Sequence, residues 1–193
     1  MPHPEKASTM SPPFVSFADQ AIYLAHVSLG QHPVIQVLWR YLRPVDLGAL
    51  TRFRDNLAHG YLARLIRPAR LPFGRHQWVG ALPPSAALTV AEAPLAPEAM
   101  QAWADAQVAL PLDPVRGPAW TFTIQTFTDG SSVVSLVVSH CIADGLTTEI
   151  AVSEAVRGER RRSAHSPWST WSAYRVTTTL GAEFQRTVRD AVR

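Results

Sequence analysis

The sequence predicts an α+β fold, a mixed α/β sandwich with a mixed sheet flanked by helices, on three observations. Helical and strand patterns alternate irregularly along the chain. The clearest unit is an antiparallel hairpin, Trp120–Phe127 and Ser132–Ser139, around the turn residues Asp129 and Gly130. The 193 residues, 47% of them hydrophobic, suffice for one ordinary core and not for two substantial domains.

The elements follow in order. Residues 1–14, rich in Pro and Ser, are expected to be a disordered lead. Ser16 is a suitable cap for a helix from Phe17 to about His26, with Ile22 and Tyr23 facing inward. The β-branched and aromatic run from Val34 to Leu42 reads as a strand. Asp46 is a suitable cap for an amphipathic helix carrying Leu47, Leu50, Phe53, Leu57, Tyr61 and Leu65 on one face, with Pro68 as its stop. Short strands are expected at His76–Val79 and Ala87–Val90. Pro97 fits the first turn of a helix running to about Val108. After the hairpin, a further helix is expected from Leu146 to Val156. Beyond Arg157 the composition shifts to a linker, and Leu180, Phe184, Val188 and Val192 form a helical stripe.

Composition narrows the function classes. No apolar run approaches the roughly 20 residues of a membrane span. Residues 1–13 lack the basic and apolar regions of a secretory signal, so a cytoplasmic protein is expected. A single cysteine, Cys141, excludes an internal disulfide framework and a cysteine-type zinc cluster. His26, His32, His59, His76 and His165 show no metal-binding spacing. Residues 157–193 carry eight arginines and three acidic residues, the opposite balance to the ten basic and twelve acidic residues before them. Lys6 is the only lysine, so the arginine excess reads as compositional bias and a solvated linker rather than a nucleic-acid site.

One motif carries chemistry. His140-Cys141-Ile142-Ala143-Asp144-Gly145 follows the apolar strand and opens the next helix. A histidine at a strand end, with a free pKa of about 6.5, suits a general base near neutral pH. Asp144 suits a carboxylate folded back to hold the loop, by an ion pair or by backbone N–H bonds, and Gly145 leaves room for a ligand to pass closely. A His-x-x-x-Asp-Gly string arises by composition in about one chain in a hundred of this length, so the motif does not stand alone. The same residues are also compatible with a satisfied strand-end histidine followed by a capped helix.

The segment Val133–Gly145 resembles the central strand and active-site loop of the superfamily that contains chloramphenicol acetyltransferase, peptide-synthetase condensation domains and polyketide-associated acyltransferases. Within it the chain most resembles the bacterial wax ester synthase/diacylglycerol acyltransferase family, over residues 15–156. Phe17–Ala21, Val45–Leu50, Arg64–Pro68 with Gly74–Val79, and Leu112–Trp120 are similar to that family's successive segments, in order and with fitting spacing to His140. The resemblance implies a chloramphenicol-acetyltransferase-like lobe. In it His140 would be the general base that deprotonates an acceptor hydroxyl for attack on an acyl-CoA thioester. Asp144 would be its structural support, paired with an arginine for which Arg64, Arg67 and Arg116 are candidates, and Gly145 would lie at the acyl-CoA binding position. Acyl-CoA is substrate and no resident cofactor is implied. No acyl-enzyme is needed, and Cys141 reads as a packing residue.

The chain departs from the family in two ways. Many members carry two consecutive histidines, and here Ser139 replaces the first. Two-lobed members place the motif about a third of the way along, so 157–193 is expected to lead toward a second acyltransferase lobe. The implied partners are acyl-CoA, a lipid or alcohol acceptor and that second lobe. Trp168 and Trp171 beside the arginines suit peripheral membrane contact or packing within the assembly. A condensation-type lobe acting on carrier-protein thioesters, and a non-catalytic interaction or lipid-binding half, are the rival readings.

Overall fold

The structure is a computed structural model and describes residues 14–70, 74–80 and 86–160. Helix α1 (Phe17–Leu29) begins at Ser16, whose hydroxyl accepts the Asp19 N–H at 3.1 Å. It runs a turn beyond the expected His26 and stops at Gly30, whose φ of 64° gives the left-handed cap. Tyr23 is buried on its inner face and Ile22 packs against the core.

Strand β1 (Val34–Tyr41) lies where the β-branched run predicts it. Asp46 caps α2 (Leu47–Leu57), with Oδ1 accepting the N–H groups of Gly48 and Ala49 at 2.8 and 3.1 Å. The expected continuation of this helix through Tyr61 and Leu65 is wrong. The chain turns at Ala58–Gly60, and Arg64–Arg67 forms strand β2, antiparallel to β3 (Gln77–Gly80). Helical spacing was satisfied at Tyr61 and Leu65, but the residues that bury within the strand are Arg64 and Ile66, a two-residue period that a strand serves.

Strand β4 (Leu88–Val90) follows, and a 3₁₀ turn with Pro97 in its first positions leads into α3 (Met100–Val108). The hairpin forms as expected from β5 (Trp120–Thr126) and β6 (Ser132–Ser139), with Gly130 at φ 81° in the turn. Helix α4 (Gly145–Val156) completes the described elements.

Four strands form a mixed sheet in the order β1-β6-β5-β4, antiparallel except for the parallel pair β4 and β5. The sheet has two unlike faces. Trp120, Phe122 and Ile124 of β5 and Val134, Leu136 and Val138 of β6 share one face and join the main core. That core is closed by Tyr23 of α1, Leu57 of α2, Ala151, Val152 and Ala155 of α4, and Ile66 and Trp78 of the small sheet.

The other face carries polar side chains under α3. Gln36 Nε2 donates to the Ala104 carbonyl at 2.8 Å and to Ser135 Oγ at 3.3 Å, and Thr123 Oγ1 donates to Gln107 Oε1 at 2.9 Å. Every residue of β6 is buried, so the strand that leads to the motif is covered on both sides. No helix of the described residues is long and apolar enough to cross a membrane.

The expected lead at 1–14 reaches the structure only at Phe14, which pairs with Gln77, and Val15 N–H binds the His76 carbonyl at 2.9 Å. The remaining lead, the stripe at Leu180, Phe184, Val188 and Val192, Trp168 and Trp171 lie outside the described residues.

His76 sits where these segments meet. Its Nδ1 accepts the Ala69 N–H at 2.9 Å, its ring meets Tyr23 edge-on at 5.0 Å, and its Nε2 is buried with no hydrogen-bond partner. Burial pushes its pKa below the usual histidine value. The neutral form is the one that fits, so its contribution to stability is full above the unfolded pKa of about 6.5 and is lost as pH falls through the lower folded value. Urea unfolding at pH 7.5 and pH 5 is expected to show a larger acid-side loss for the wild type than for His76→Gln.

Candidate active site

The site is built at one end of the sheet. Strand β6 ends at Ser139, paired with Val34 of β1, and its neighbour β5 begins opposite Val138. Two consecutive backbone N–H groups then bond in opposite directions. Ser139 N–H donates to the Ala119 carbonyl and His140 N–H to the Pro33 carbonyl, each at 2.9 Å. The candidate base is thereby held from both neighbouring strands.

The His140 residue is half-buried, and its Nδ1 is a buried atom with no hydrogen-bond partner. An orphaned buried nitrogen costs roughly 1–3 kcal/mol and calls for an explanation where it occurs. The accessible part of the residue lies elsewhere than Nδ1.

The loop after His140 doubles back on the strand end. Ile142 N–H donates to the Ser139 carbonyl at 3.0 Å, and Cys141 N–H to Ser139 Oγ at 3.4 Å. Cys141 and Ile142 have no exposed surface. Burial raises the Cys141 thiol pKa, with the Ser139 hydrogen bond opposing the shift, so this sulfur lacks the accessible thiolate character of a nucleophile.

Asp144 caps α4: its Oδ1 accepts the Thr147 N–H at 2.7 Å, while its carbonyl accepts the Thr148 hydroxyl at 2.8 Å. Of the two roles open to it in the sequence, the backbone N–H bond is the one present. Gly145 is exposed, and a Cβ placed there would meet nothing within 4 Å, so packing does not dictate a glycine and the space beside it is open.

Arg64 is the residue whose part sequence reasoning described incompletely. It is 1% exposed, and both Nε, at 2.9 Å, and Nη2 donate to the Ile142 carbonyl in the middle of the motif loop. Its guanidinium lies 4.0 Å over the Trp78 ring centroid and 5.5 Å over that of Tyr61. Burial lowers its pKa to about 10, an effect opposed by Asp19, Tyr61 and Asp144, so it remains charged at neutral pH.

Arg64 is thus the one of the three candidate arginines at the motif, with the loop carbonyl as an anchor; Arg67 and Arg116 are exposed. Pro33 and Ala119 were also missed, because they act through backbone carbonyls that no motif marks; Ser139, noted in the sequence only as the replacement of a histidine, serves the loop through its hydroxyl and carbonyl. Among the described residues no group of three or more His, Cys, Asp or Glu side chains could hold a metal ion.

The fold has known counterparts in structure. A mixed sheet flanked by helices is also the fold of condensation domains, of the chloramphenicol-acetyltransferase-like kind. The starter condensation domain of rhizomide synthetase superposes with a TM-score of 0.62 at 16% identity, over 77% of this chain and 38% of that one. The first condensation domain of the CDA synthetase gives 0.59 at 16%, over 77% and 40%. A double variant of the rhizomide starter domain, in complex with C8-CoA and Leu-SNAC, gives 0.61 at 16%, over 76% and 35%. The chain therefore spans about two fifths of the length of these structures. No family model matches the sequence, and no curated protein matches it.

Arg64→Met is expected to leave the buried Ile142 carbonyl unpaired and to lower unfolding stability by about 1–3 kcal/mol or more. Arg64→Lys should recover only part of that loss in urea titrations, because an ammonium cannot reproduce the two-nitrogen grip and the planar stacking.

Proposed function

We propose that this chain is an acyl-transferring lobe of the wax ester synthase/diacylglycerol acyltransferase type, with His140 as general base. The observation that carries the reading is His140 itself, held through its backbone at the end of a fully buried strand while the residue is only half-buried.

In this mechanism His140 Nε2 takes the proton of an acceptor hydroxyl as its oxygen attacks the thioester carbonyl of acyl-CoA. The C–O bond forms and the carbonyl π electrons move to oxygen, giving a tetrahedral oxyanion that needs a positioned donor. Collapse breaks the C–S bond, and the departing thiolate takes the proton held by His140. For Nε2 to accept a proton, the neutral ring must carry its hydrogen on the buried Nδ1.

Asp144 and Arg64 touch no substrate in this scheme. Each holds a different part of the loop, Asp144 at the first turn of α4 and Arg64 at the Ile142 carbonyl. Gly145, exposed and free of packing constraints, is the proposed point of passage for acyl-CoA. The proposed partners are a lipid or alcohol acceptor, a second lobe of the same superfamily, and the periphery of a membrane.

A second reading is favoured by the structural neighbours. They are condensation domains, which supports a carrier-protein thioester as donor and an amine or hydroxyl acceptor. The proton transfer at His140 would be the same, and only the donor handle would differ. Transfer assays that offer one acyl group on CoA and on a carrier-linked pantetheine, each to an alkanol and to an aminoacyl thioester, separate the two.

The test of the base is His140→Ala in the full chain, assayed with a partner lobe supplied. Transfer is expected to fall about 10²–10⁴-fold, while thermal stability holds or rises because an orphaned buried nitrogen is removed. Transfer at the wild-type rate would end the proposal. Cys141→Ser is expected to retain transfer. Asp144→Asn should keep stability close to wild type, since Asn caps as well as Asp, whereas Asp144→Ala should lose about 1 kcal/mol by thermal unfolding.

A further inference from the structure

Strand β1 is an edge of the main sheet, paired on one side with β6, and its other side has no assigned role. The hydrogen bonds at the motif fix which backbone groups that side presents. One step beyond the pair Val34 and Ser139, Pro33 stands opposite His140, and the His140 N–H donates to the Pro33 carbonyl. That is a hydrogen-bonded pair, and such pairs alternate along an antiparallel ladder. Ile35, Val37, Trp39 and Tyr41 therefore turn their backbone groups to β6. The Ser139 N–H, donated to Ala119, turns the alternate residues of β6 to β5 and agrees with this phase. Val34, Gln36, Leu38 and Arg40 thus direct their N–H and C=O groups away from the sheet. Among the described residues no backbone hydrogen bond meets them.

An open edge of this kind is a template for another strand, and proteins usually blunt it with short strands, bulges, proline or charge. β1 has 8 residues in unbroken register, no proline, and a single charged side chain, Arg40, near its end. Unlike β6 it is nowhere fully buried, and Leu38 is 44% exposed. The strand is also complementary to itself. Laid antiparallel on a copy about a two-fold axis at Val37, Val34 of one copy stands opposite Arg40 of the other, and Gln36 opposite Leu38. All four outward residues then form hydrogen-bonded pairs. Between them Ile35 meets Trp39 and Val37 meets Val37, β-branched against aromatic and against its like. The two arginines lie at opposite ends, so no like charges meet. Moving the axis along the strand carries an outward residue at each end past its partner. A two-fold contact uses one surface twice, which this register does.

We propose that the free edge of β1 pairs with β1 of a second copy of this chain, joining two four-stranded sheets into one across a two-fold axis at Val37. The inference is independent of the acyl-transfer reading. An edge of this length is a small interface, so the dimer is expected to be weak and to depend on concentration. Pro33, which holds the His140 N–H, lies at the start of β1. In antiparallel pairing the two motifs therefore stand at opposite ends, and each copy keeps its own site.

The test uses the full chain. Sedimentation velocity from low to high micromolar concentration is expected to show reversible exchange between monomer and dimer. Over the same range, amide exchange at Val34, Gln36, Leu38 and Arg40 should slow severalfold, while Ile35, Val37, Trp39 and Tyr41, already paired with β6, should not change. Val37→Cys is expected to give a disulfide-linked dimer on mild oxidation, because the close pairs of antiparallel strands have Cα atoms about 4.5 Å apart. Leu38→Cys should not, since in this register it faces Gln36 and lies beyond the roughly 7 Å limit from its own copy. Cys141 is buried and common to both variants. Leu38→Lys puts a charge on the exposed edge and should weaken the dimer severalfold, with circular dichroism and thermal midpoint as in the wild type. A monomer at every concentration overturns the proposal; if the four outward amides are slow nonetheless, residues 161–193 of the same chain are what covers the edge. Dimers that form without slowing those amides, or that Leu38→Lys leaves intact, overturn it and place the contact on another surface. Equal cross-linking of Val37→Cys and Leu38→Cys overturns the two-fold register and the proposal with it.

Discussion

Strand β6 sits between two antiparallel neighbours, and the rest of the site depends on that register. Ser132–Ser139 is buried on both faces, so each residue is assigned to the apolar core or to the polar layer under α3. A slip of one residue would send Val134, Leu136 and Val138 to the polar layer, and Val133, Ser135 and Val137 to the core. The two faces are chemically unlike, and this makes such a slip costly. Leu136 faces a hydrophobic cluster, whereas Ser135 accepts a hydrogen bond from Gln36. The same register puts Ser139 beside Ala119 and His140 beside Pro33, so packing far from the motif determines where the motif begins.

Once β6 ends, backbone hydrogen bonding takes over from packing. Consecutive N–H groups of the loop go to Pro33, to the Ser139 hydroxyl and to the Ser139 carbonyl, and the Ile142 carbonyl goes to Arg64. Asp144 then satisfies an N–H of the first turn of α4, which would otherwise lack an intrahelical acceptor. Burying a guanidinium is expensive, and the depressed pKa of about 10 reports that expense. The Trp78 face and two hydrogen bonds to one carbonyl offset part of it. The small β2–β3 sheet therefore does more than close the core, since it carries both Arg64 and Trp78 to the loop.

What could be read in the sequence was local. Ser16, Asp46 and Asp144 each precede a helix and cap it, Asp129-Gly130 makes its turn, and His140 stands at the strand end that its apolar run announces. The failures were those that require distant partners. Arg64 contacts a carbonyl 78 positions along the chain, and nothing near Arg64 encodes that. The helix through Tyr61 and Leu65 failed for a related reason. Its spacing was sound, but a buried arginine and pairing with Gln77–Gly80 override a short stretch whose preference is ambiguous. Pro33 escaped notice because its contribution is a carbonyl, which every residue has.

Local rules and tertiary structure agree along most of the described chain, and one departure falls at the motif itself. The loop N–H groups from His140 to Ala143 all have acceptors, while the His140 ring keeps a buried nitrogen without one. On the strand beside Arg64, Trp78 Nε1 is likewise buried and unpartnered. A fold selected for stability alone would remove such atoms at little cost, because an apolar ring of similar size fits and leaves nothing unsatisfied. At His140 the proposed mechanism places the hydrogen of the neutral ring on this buried Nδ1, which leaves the opposite nitrogen to accept a proton. The backbone bond to Pro33 supplies positioning that side-chain hydrogen bonds would otherwise supply, so on the proposed mechanism rigidity and proton exchange fall to different atoms of one residue.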